Sequence, residues 1–206
     1  MKRLMLGLCV LLGGCVCQNE VDETVVDNTL NTIDEITVCT GLRDKECLET
    51  LQKAQELLPL ELQDIITDTT DFIEIYVGDK HNFLKRMTRE KIHTDRIAYS
   101  GITGYGYSEH NKTVVYSMAD DYVLIHELAH AYEYSHWYDG VKDNPSASEE
   151  WKDAYETEYI SQYGTTNVME FYAECFAMYF RNPRTLKMFC PKAFNLLDSE
   201  FKEMEW

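Results

Sequence analysis

His126, Glu127 and His130 lie in the sequence His-Glu-Leu-Ala-His, whose residue types and spacing suit metal-assisted hydrolysis. On an α-helix, residues four apart share one face, so the two imidazoles can bind one Zn²⁺ together. Glu127 follows the first histidine, and its carboxylate can take a proton from zinc-bound water and pass it to a leaving amine. Zinc lowers the pKa of that water from about 15.7 to about 7. The pattern predicts one zinc ion per chain and hydrolysis of peptide bonds.

The third zinc ligand has two candidates, and catalytic zinc needs such a ligand in addition to the histidines. The first is His136, which stands six residues after His130, the outer spacing of the HExxHxxGxxH pattern of metzincin proteases. In that pattern a glycine breaks the helix, so that the last histidine turns back to the metal. Glu133 stands at the glycine position here and favours a continuing helix, although Met169 could supply the methionine turn of that class.

The second candidate is Glu170, in the segment NVMEFYAECFAMYF, which predicts a helix over residues 167–180. Glu170 and Glu174 are four residues apart and share one face of that helix. Burying two carboxylates on an otherwise apolar helix is costly unless a cation or hydrogen-bond donors meet them. Zinc bound by Glu170, and a ligand histidine whose N–H donates to Glu174, would satisfy both. The residues alone leave His136 and Glu170 as competing third ligands.

The motif HELAH, followed by YGTTNVMEFYAECF at residues 163–176, resembles the catalytic domain of anthrax toxin lethal factor and of the related Pro-Pro endopeptidases. In that family a Y-G-x-T-N-x-x-E-F-F-A-E-A-F stretch supplies the third zinc ligand. The closing segment LKMFCPKAFNLLDSEF is similar as well, so the resemblance covers residues 121–206. The chain departs from the family stretch at Tyr172, which replaces a phenylalanine, and at Cys175, which replaces an alanine.

This resemblance implies a zincin-like endopeptidase of the gluzincin type, with Glu170 as the third ligand and Glu174 as a supporting carboxylate. For Tyr163 it implies a phenol that faces the reacting carbonyl. A tyrosine hydroxyl near zinc can donate to the oxyanion of the tetrahedral intermediate, a contribution often worth about 10²–10³ in rate. The competing function is a zinc-containing lipoprotein that binds a partner without turnover, and the presence of both Glu127 and Tyr163 argues against it.

Periodicity and turn signals predict the elements that position these residues in the first half of the chain. Apolar residues at helical spacing predict a helix over residues 47–62, and alternation predicts a strand over residues 72–77. Glycine and serine breaks then predict two strands, residues 104–107 and 113–117, joined through residues 109–112.

The second half of the chain is predicted to be nearly all helical. Asp120 and Asp121 are both good N-cap residues and predict the start of the helix that carries the histidine pair, which should run to about residue 136. Ser146 and Glu149 stand at capping-box spacing and predict a further helix to about residue 162. After the helix with Glu170, Pro191 is predicted at the first position of a last helix.

The predicted fold class is α+β, with a small, mostly antiparallel sheet, an edge strand over the zinc helix and a helical C-terminal half. An exposed edge strand can hold a peptide in extended form by main-chain pairing. Residues 101–117 are the candidate for this strand, because their glycines allow close approach of a second backbone. The predicted partner is therefore a peptide or protein substrate bound in extended form.

Residues 1–14 have the pattern of an export signal, since two cations precede an apolar run that is too short to span a bilayer. Residues 12–15, Leu-Gly-Gly-Cys, resemble a bacterial lipobox, in which Cys15 is lipidated and becomes the first residue of the mature chain. We expect a lipoprotein anchored at a membrane surface through Cys15, with plain secretion as the alternative. Residues 15–31 then form an acidic tether, and residues 32–206 form the zinc metalloprotease domain.

Export also changes the expectations for cysteine, because disulfides persist in oxidising compartments. Cys39 and Cys47 enclose a short polar stretch and predict a local bridge. Cys175 and Cys190 could form a second bridge, which leaves Cys17 over. A free buried thiol is the alternative for each of these residues.

Composition limits the partners. The 206 residues include 19 basic and 36 acidic side chains, which gives a formal net charge of −17. This balance argues against a nucleic-acid partner and against a polybasic contact with anionic membranes. We therefore expect membrane contact through the lipid anchor alone, and a monomer.

Overall fold

The computed structural model of the chain describes residues 32–40, 44–76, 80–89, 101–104, 111–115, 120–138 and 144–204. Its strands are β1 (Thr37–Thr40), β2 (Thr70–Tyr76), β3 (Gly101–Gly104) and β4 (Asn111–Val115). Its α-helices are α1 (Asp44–Leu57), α2 (Leu60–Thr69), α3 (Lys80–Arg89), α4 (Asp121–Tyr138), α5 (Glu149–Thr157), α6 (Val168–Arg181), α7 (Pro183–Phe189) and α8 (Pro191–Phe201). A short 3-10 helix, Pro145–Ala147, precedes α5.

The four described strands form one sheet in the order β1-β2-β4-β3. The prediction of a mostly antiparallel sheet is wrong, because β2 pairs in parallel with both β1 and β4, and β3 with β4 is the one antiparallel pair among the described strands. Parallel neighbours need a crossover connection. Helices α1 and α2 lie between β1 and β2 in the chain, and α3 follows β2. The sequence pattern predicts neither β1 nor α3, so it gave no reason to expect crossovers.

The antiparallel pair of β3 and β4 is the strand pair that the sequence predicts, shifted along the chain. β3 ends at Gly104, where the first predicted strand begins, and β4 starts two residues before the second predicted strand. Residues 105–110 and 116–119 lie outside the described part of the chain. β3 is at one edge of the described sheet, and both strands lie next to α4. The structure therefore has the predicted edge strand beside α4, the helix that carries the two histidines.

The helix predicted over residues 47–62 is two helices, α1 and α2, because Pro59 stands between them. Proline lacks an N–H group and fixes φ, so it is tolerated before a helix start and not inside a helix. α1 buries Leu51 and Ala54, and α2 buries Leu62 and Ile66. Both helices contact α4, so they form one side of the core that surrounds the histidine-bearing helix.

Helix α5 begins and ends at different residues from those predicted. Ser148 is its N-cap and accepts a hydrogen bond from the Trp151 N–H at 3.2 Å, so the predicted capping box at Ser146 is wrong. Pro145 starts a 3-10 turn first, and Ser148 is the residue whose extended backbone opens the α-helix. The helix ends at Thr157, before the predicted end.

Aromatic side chains fill the interface between α4, α6 and α8. The Phe176 ring of α6 has its centroid 4.9 Å from that of Phe180 and 5.4 Å from that of Phe201 in α8. Tyr132 of α4 also has its ring centroid 5.4 Å from that of Phe201. Edge-to-face contacts of this kind stabilise a core beyond the area that they bury. These contacts hold α4 in place relative to α6.

Pro191 lies in the first turn of α8, as predicted.

The predicted bridge between Cys39 and Cys47 is confirmed, and it links β1 to α1. The second bridge is wrong, because Cys175 and Cys190 are buried free thiols that are hydrogen-bonded to each other. The signal segment, Cys15, Cys17 and the acidic tether lie outside the described residues, so the domain boundaries stay predictions. No helix in the described part of the chain is long and apolar enough to cross a membrane.

Candidate metal centre

Helix α4 brings His126 and His130 together on one face. The helix starts after Asp120, whose carboxylate accepts a hydrogen bond from the Tyr122 N–H at 2.9 Å, as the predicted N-cap should. The two histidines are 5% and 8% exposed, and their ring centroids are 5.0 Å apart. The packing around α4 therefore holds both imidazoles in the core, next to each other.

Helix α6 brings Glu170 to the same place. Its N-cap is Asn167, whose side-chain oxygen accepts a hydrogen bond from the Glu170 N–H at 3.0 Å. This cap fixes the first turn of α6, where Glu170 lies. Glu170 Oε2 is 3.1 Å from His126 Nε2 and 3.3 Å from His130 Nε2. The structure thus brings His126 and His130 of α4 together with Glu170 of α6, as predicted for the zinc ligands.

The donor set suits zinc. One ligand atom from each of His126, His130 and Glu170 lies within 4.8 Å of the others, and within the described residues this is the one such group of His, Cys, Asp or Glu. Two histidines and one glutamate form a ligand set of catalytic zinc, which leaves a fourth position open. Zinc–ligand bonds of about 2.1 Å at tetrahedral angles place ligand atoms about 3.4 Å apart. The carboxylate oxygen and each imidazole nitrogen already have nearly that separation.

The electrostatics are those of a site that can exchange protons for a metal. Burial alone would lower the pKa of His130, but the neighbouring carboxylates of Glu133 and Glu170 raise it to about 10. The pKa of His126 is also raised, against the effect of burial, by hydrogen bonds to Glu170 and Glu174. Burial alone would raise the pKa of Glu170, and hydrogen bonds from the two histidines hold it well below its usual range. A divalent cation can replace the protons that these groups share.

Glu174 lies beside His126, where a supporting carboxylate was predicted. Its Oε1 is 3.1 Å from His126 Nδ1. Burial alone would raise the pKa of Glu174, but hydrogen bonds from His126 and Ser161 lower it, so the carboxylate stays ionised at neutral pH. The Tyr122 hydroxyl donates to the Glu174 backbone carbonyl at 3.3 Å. An ionised acceptor at Nδ1 favours the His126 tautomer whose Nε2 lone pair is free for a metal.

Glu127 and Tyr163, the two predicted catalytic residues, lie at the same centre. Glu127 is 6% exposed, and its charge is a further cause of the raised pKa of His130. Tyr163 is 55% exposed, with its ring centroid 5.7 Å from that of His126, and its hydroxyl is hydrogen-bonded to Glu170. Burial, and then the charges of Glu170 and Glu127, raise the pKa of Tyr163 above its ordinary value. The phenol therefore keeps its proton at neutral pH.

The glycine after Tyr163 has a packing reason. A Cβ at Gly164 would lie 2.8 Å from Ile160 Cγ2 and 3.6 Å from Glu174 Cγ. The Gly164 N–H also donates to Ser161 Oγ at 2.9 Å. A side chain at residue 164 would therefore overlap Ile160, whereas its distance to Glu174 would be an ordinary van der Waals contact.

His136, the alternative third ligand, does not join the cluster. Helix α4 continues beyond it, since Glu133 does not break the helix as glycine would, and His136 is carried away from the face with the other two histidines. Its ring packs edge-on against Tyr132 with centroids 4.7 Å apart. Met169 lies within α6 and not in a turn. The metzincin-type alternative is therefore wrong.

Sequence reasoning missed two side chains at the centre. Glu133 is buried, accepts a hydrogen bond from the Ser146 N–H at 3.1 Å through Oε1, and has Oε2 3.9 Å from His130 Nδ1. Its spacing of three residues from His130 was an available signal, because such residues are neighbours on a helix. Ser161, in the loop between α5 and α6, donates a hydrogen bond to Glu174. No pattern in the sequence indicates that contact.

Comparison with known proteins gives a family and a shared fold. Residues 10–200 match the family model described as anthrax toxin lethal factor, N- and C-terminal domain. Among solved structures, the chain is similar to the Pro-Pro endopeptidase PPEP-2 from Paenibacillus alvei, with a TM-score of 0.55 and 15% identity over 82% of this chain and 98% of that chain. No curated protein matches the sequence. The shared fold confirms the predicted α+β, zincin-like class.

Proposed function

We propose that this chain, which belongs to the anthrax toxin lethal factor family, is a zinc-dependent endopeptidase of the gluzincin type. The observation that carries the proposal is the convergence of His126, His130 and Glu170, whose ligand atoms lie within 4.8 Å of one another. Glu127 is buried on the same helix as the histidines, and Tyr163 lies at the exposed side of the cluster. Together they supply the ligands, the base and the hydrogen-bond donor that peptide hydrolysis needs.

Glu127 is the general base and acid of the proposed reaction. Zinc, when bound, would polarise the scissile carbonyl and lower the pKa of water to about 7. Glu127 takes the proton of the attacking water and delivers it to the leaving amine nitrogen. Because its carboxylate is buried, its interactions with these charges are screened less than they would be in bulk water.

Tyr163 donates a hydrogen bond to the oxyanion that develops on the scissile carbonyl. Its raised pKa keeps the hydroxyl protonated at neutral pH, as a donor must be. Its side chain is half exposed, which leaves it accessible to a substrate. In the absence of substrate the hydroxyl bonds Glu170, and moving to the oxyanion exchanges one acceptor for another.

The proposed substrate is a peptide held in extended form along β3. This strand is at an edge of the described sheet and lies next to α4, so a peptide paired with it would lie near the helix that carries the two histidines. The similar solved structure is that of a Pro-Pro endopeptidase, which makes Pro-Pro bonds the first sequences to test. The net charge of −17 favours basic or neutral peptides and gives no support to a nucleic-acid partner.

We also propose that the chain is exported, cleaved before Cys15 and held at a membrane surface as a monomeric lipoprotein. The apolar run of residues 4–12 and the Leu-Gly-Gly-Cys sequence support this. The disulfide between Cys39 and Cys47 supports an oxidising compartment. Labelling with a radioactive fatty acid tests the anchor, and a Cys15→Ser variant should lose the label.

A pool of peptides enriched in Pro-Pro pairs, incubated with zinc-loaded protein and followed by mass spectrometry, tests activity and specificity together. We expect new fragments from the wild type and a rate about 10²–10⁴ lower in Glu127→Ala. That variant should keep its zinc, because Glu127 is not among the converging ligands. Glu156→Gln, at an exposed position of α5, is the matched control with full activity. If zinc-loaded wild type leaves every peptide intact, the chain is a binding module and not a protease.

A further inference from the structure

The two histidines of the cluster differ in what faces their second ring nitrogen. His126 Nδ1 lies 3.1 Å from Glu174 of α6. His130 Nδ1 lies 3.9 Å from Oε2 of Glu133, which is on the same helix, one turn further along. Glu133 is 1% exposed. Each imidazole therefore has a buried carboxylate of its own on the side opposite Glu170.

We propose that Glu133 is a positioning residue, which holds His130 in the ring orientation and tautomer that zinc binding needs. The inference rests on the proposed zinc site. An N–H at Nδ1 directed at a carboxylate leaves the Nε2 lone pair for the metal and makes that nitrogen a stronger ligand. Glu133 does for His130 what Glu174 does for His126, with the carboxylate supplied by α4 itself.

Burial gives a reason why Glu133 needs this partner. A carboxylate removed from water is costly unless donors meet both oxygens. The Ser146 N–H meets Oε1 at 3.1 Å. Among the described residues, neither Oε2 nor the facing Nδ1 of His130 has a hydrogen-bond partner. A shift of about 1 Å would bring these two atoms to hydrogen-bond distance, and fixing Nε2 on a metal places the proton on the nitrogen that faces Glu133.

A second acidic residue lies on the other side of Glu133. Glu200 of α8 lies near it and accepts a hydrogen bond from Tyr132 at 2.7 Å. Burial, and also the charge of Glu133, raise the pKa of Glu200. The imidazole N–H of His130 is thus the donor that relieves the charge of Glu133. Glu133, which stands where the metzincin pattern has glycine, therefore positions a zinc ligand in addition to continuing α4.

Zinc affinity, measured by competition with a chromogenic chelator, tests the proposal in the Glu133→Gln variant. When the glutamine oxygen accepts from the Ser146 N–H, the NH₂ group faces His130, so the Nδ1 proton of His130 loses its acceptor. We expect zinc binding to weaken about 10- to 100-fold, as in Glu174→Gln, and to stay unchanged in the exposed control Glu156→Gln. A structural role alone would lower the melting temperature of the metal-free protein and leave zinc affinity at the wild-type value, which would overturn the proposal.

A second measurement needs no variant and so does not depend on one that folds. In zinc-loaded protein, long-range ¹H–¹⁵N NMR spectra of histidine should show the His130 Nδ1 proton shifted downfield and slow to exchange. Fast exchange of this proton would contradict the proposal. Failure of the wild type to bind zinc would remove the proposed function as well. Normal zinc binding and cleavage by wild type and Glu133→Gln alike would remove the role of Glu133 alone.

Discussion

Helices α4 and α6 both contribute to the candidate metal centre, but they are held in place differently. α4 contacts α1, α2, α6, β3 and β4, and nearly every side chain from Asp121 to Ser135 is buried or half-buried. The first turn of α6 is at the surface, where Asn167 is exposed and Glu170 is half-buried. The core therefore positions the histidines, whereas a cap and a loop position the carboxylate. Substitutions on the two helices should differ in strength accordingly.

The largest effect is expected from removing a ligand. His130→Ala should weaken zinc binding more than 100-fold, because it removes one of the three converging ligands. Loss of a supporting hydrogen bond alone costs about 10- to 100-fold. Glu170→Ala should also lose zinc but by a smaller factor, since water can enter the half-buried first turn of α6. His136→Ala is the control and should bind zinc as the wild type does. Equilibrium dialysis with zinc analysis gives all three values, and equal losses in the two ligand variants would refute the difference between the helices.

Tyr163→Phe should lower kcat by about 10²–10³, because it removes a donor to the oxyanion. KM and zinc content should change little, since an interaction made in the transition state affects kcat. Steady-state kinetics on the best peptide from the pool measures this split. A normal kcat would mean that Tyr163 is a packing residue of the loop.

Zinc affinity should rise with pH, because zinc must displace protons from the histidines. The pKa of His130 in the metal-free fold is about 10, so raising the pH toward that value should strengthen binding about tenfold per pH unit for each proton displaced. Calorimetric titrations in buffers of different ionisation enthalpy count the released protons. Binding without proton release near pH 7 would contradict the shared-proton arrangement.

The same shift predicts how the metal-free protein responds to pH. The pKa of His130 is raised above its ordinary value of 6.5, so its contribution to stability is complete below about pH 6.5 and is lost as the pH rises through about 10. The lowered pKa of Glu170 acts oppositely, and its contribution is lost as the pH falls below the ordinary value of 4.5. Thermal melts of chelator-treated protein should therefore show a maximum between these limits, and zinc should remove the alkaline decline.

The smallest effect is expected at the cap. Asn167→Ala removes the acceptor for the Glu170 N–H and should cost about 1 kcal/mol of unfolding free energy. Leu128→Ala, in the buried core of α4, should cost about 2–5 kcal/mol. Denaturant unfolding of the zinc-free proteins compares the two. If the cap variant were as costly as the core variant, the first turn of α6 would be as firmly held as α4.

Local patterns in the sequence were enough for the parts of the site that lie on single helices. The spacing of His126 and His130 and the spacing of Glu170 and Glu174 each follow from the helical period, and α4 and α6 formed close to the predicted bounds. Their convergence was a hypothesis from buried charge, and the family resemblance agreed with it. No local pattern indicated that two helices would meet at one point.

The parts that sequence reasoning missed depend on distant partners. The parallel pairing of β1 and β2 joins strands separated by two helices, and β1, Thr37–Thr40, is too short to show alternation. For Glu133 the sequence predicts only a continuing helix, since its hydrogen-bond partner Ser146 lies beyond the end of α4, where no local pattern indicates the contact. Ser148 displaced the predicted cap because Pro145 starts a 3-10 turn first.

Anomalous diffraction at the zinc edge, from crystals of zinc-loaded protein, tests the central claim most directly. We predict one strong peak per chain, with His126 Nε2, His130 Nε2 and a carboxylate oxygen of Glu170 at about 2.0–2.2 Å. A peak whose third protein ligand is another residue, with the Glu170 oxygens out of bonding reach, would contradict the account.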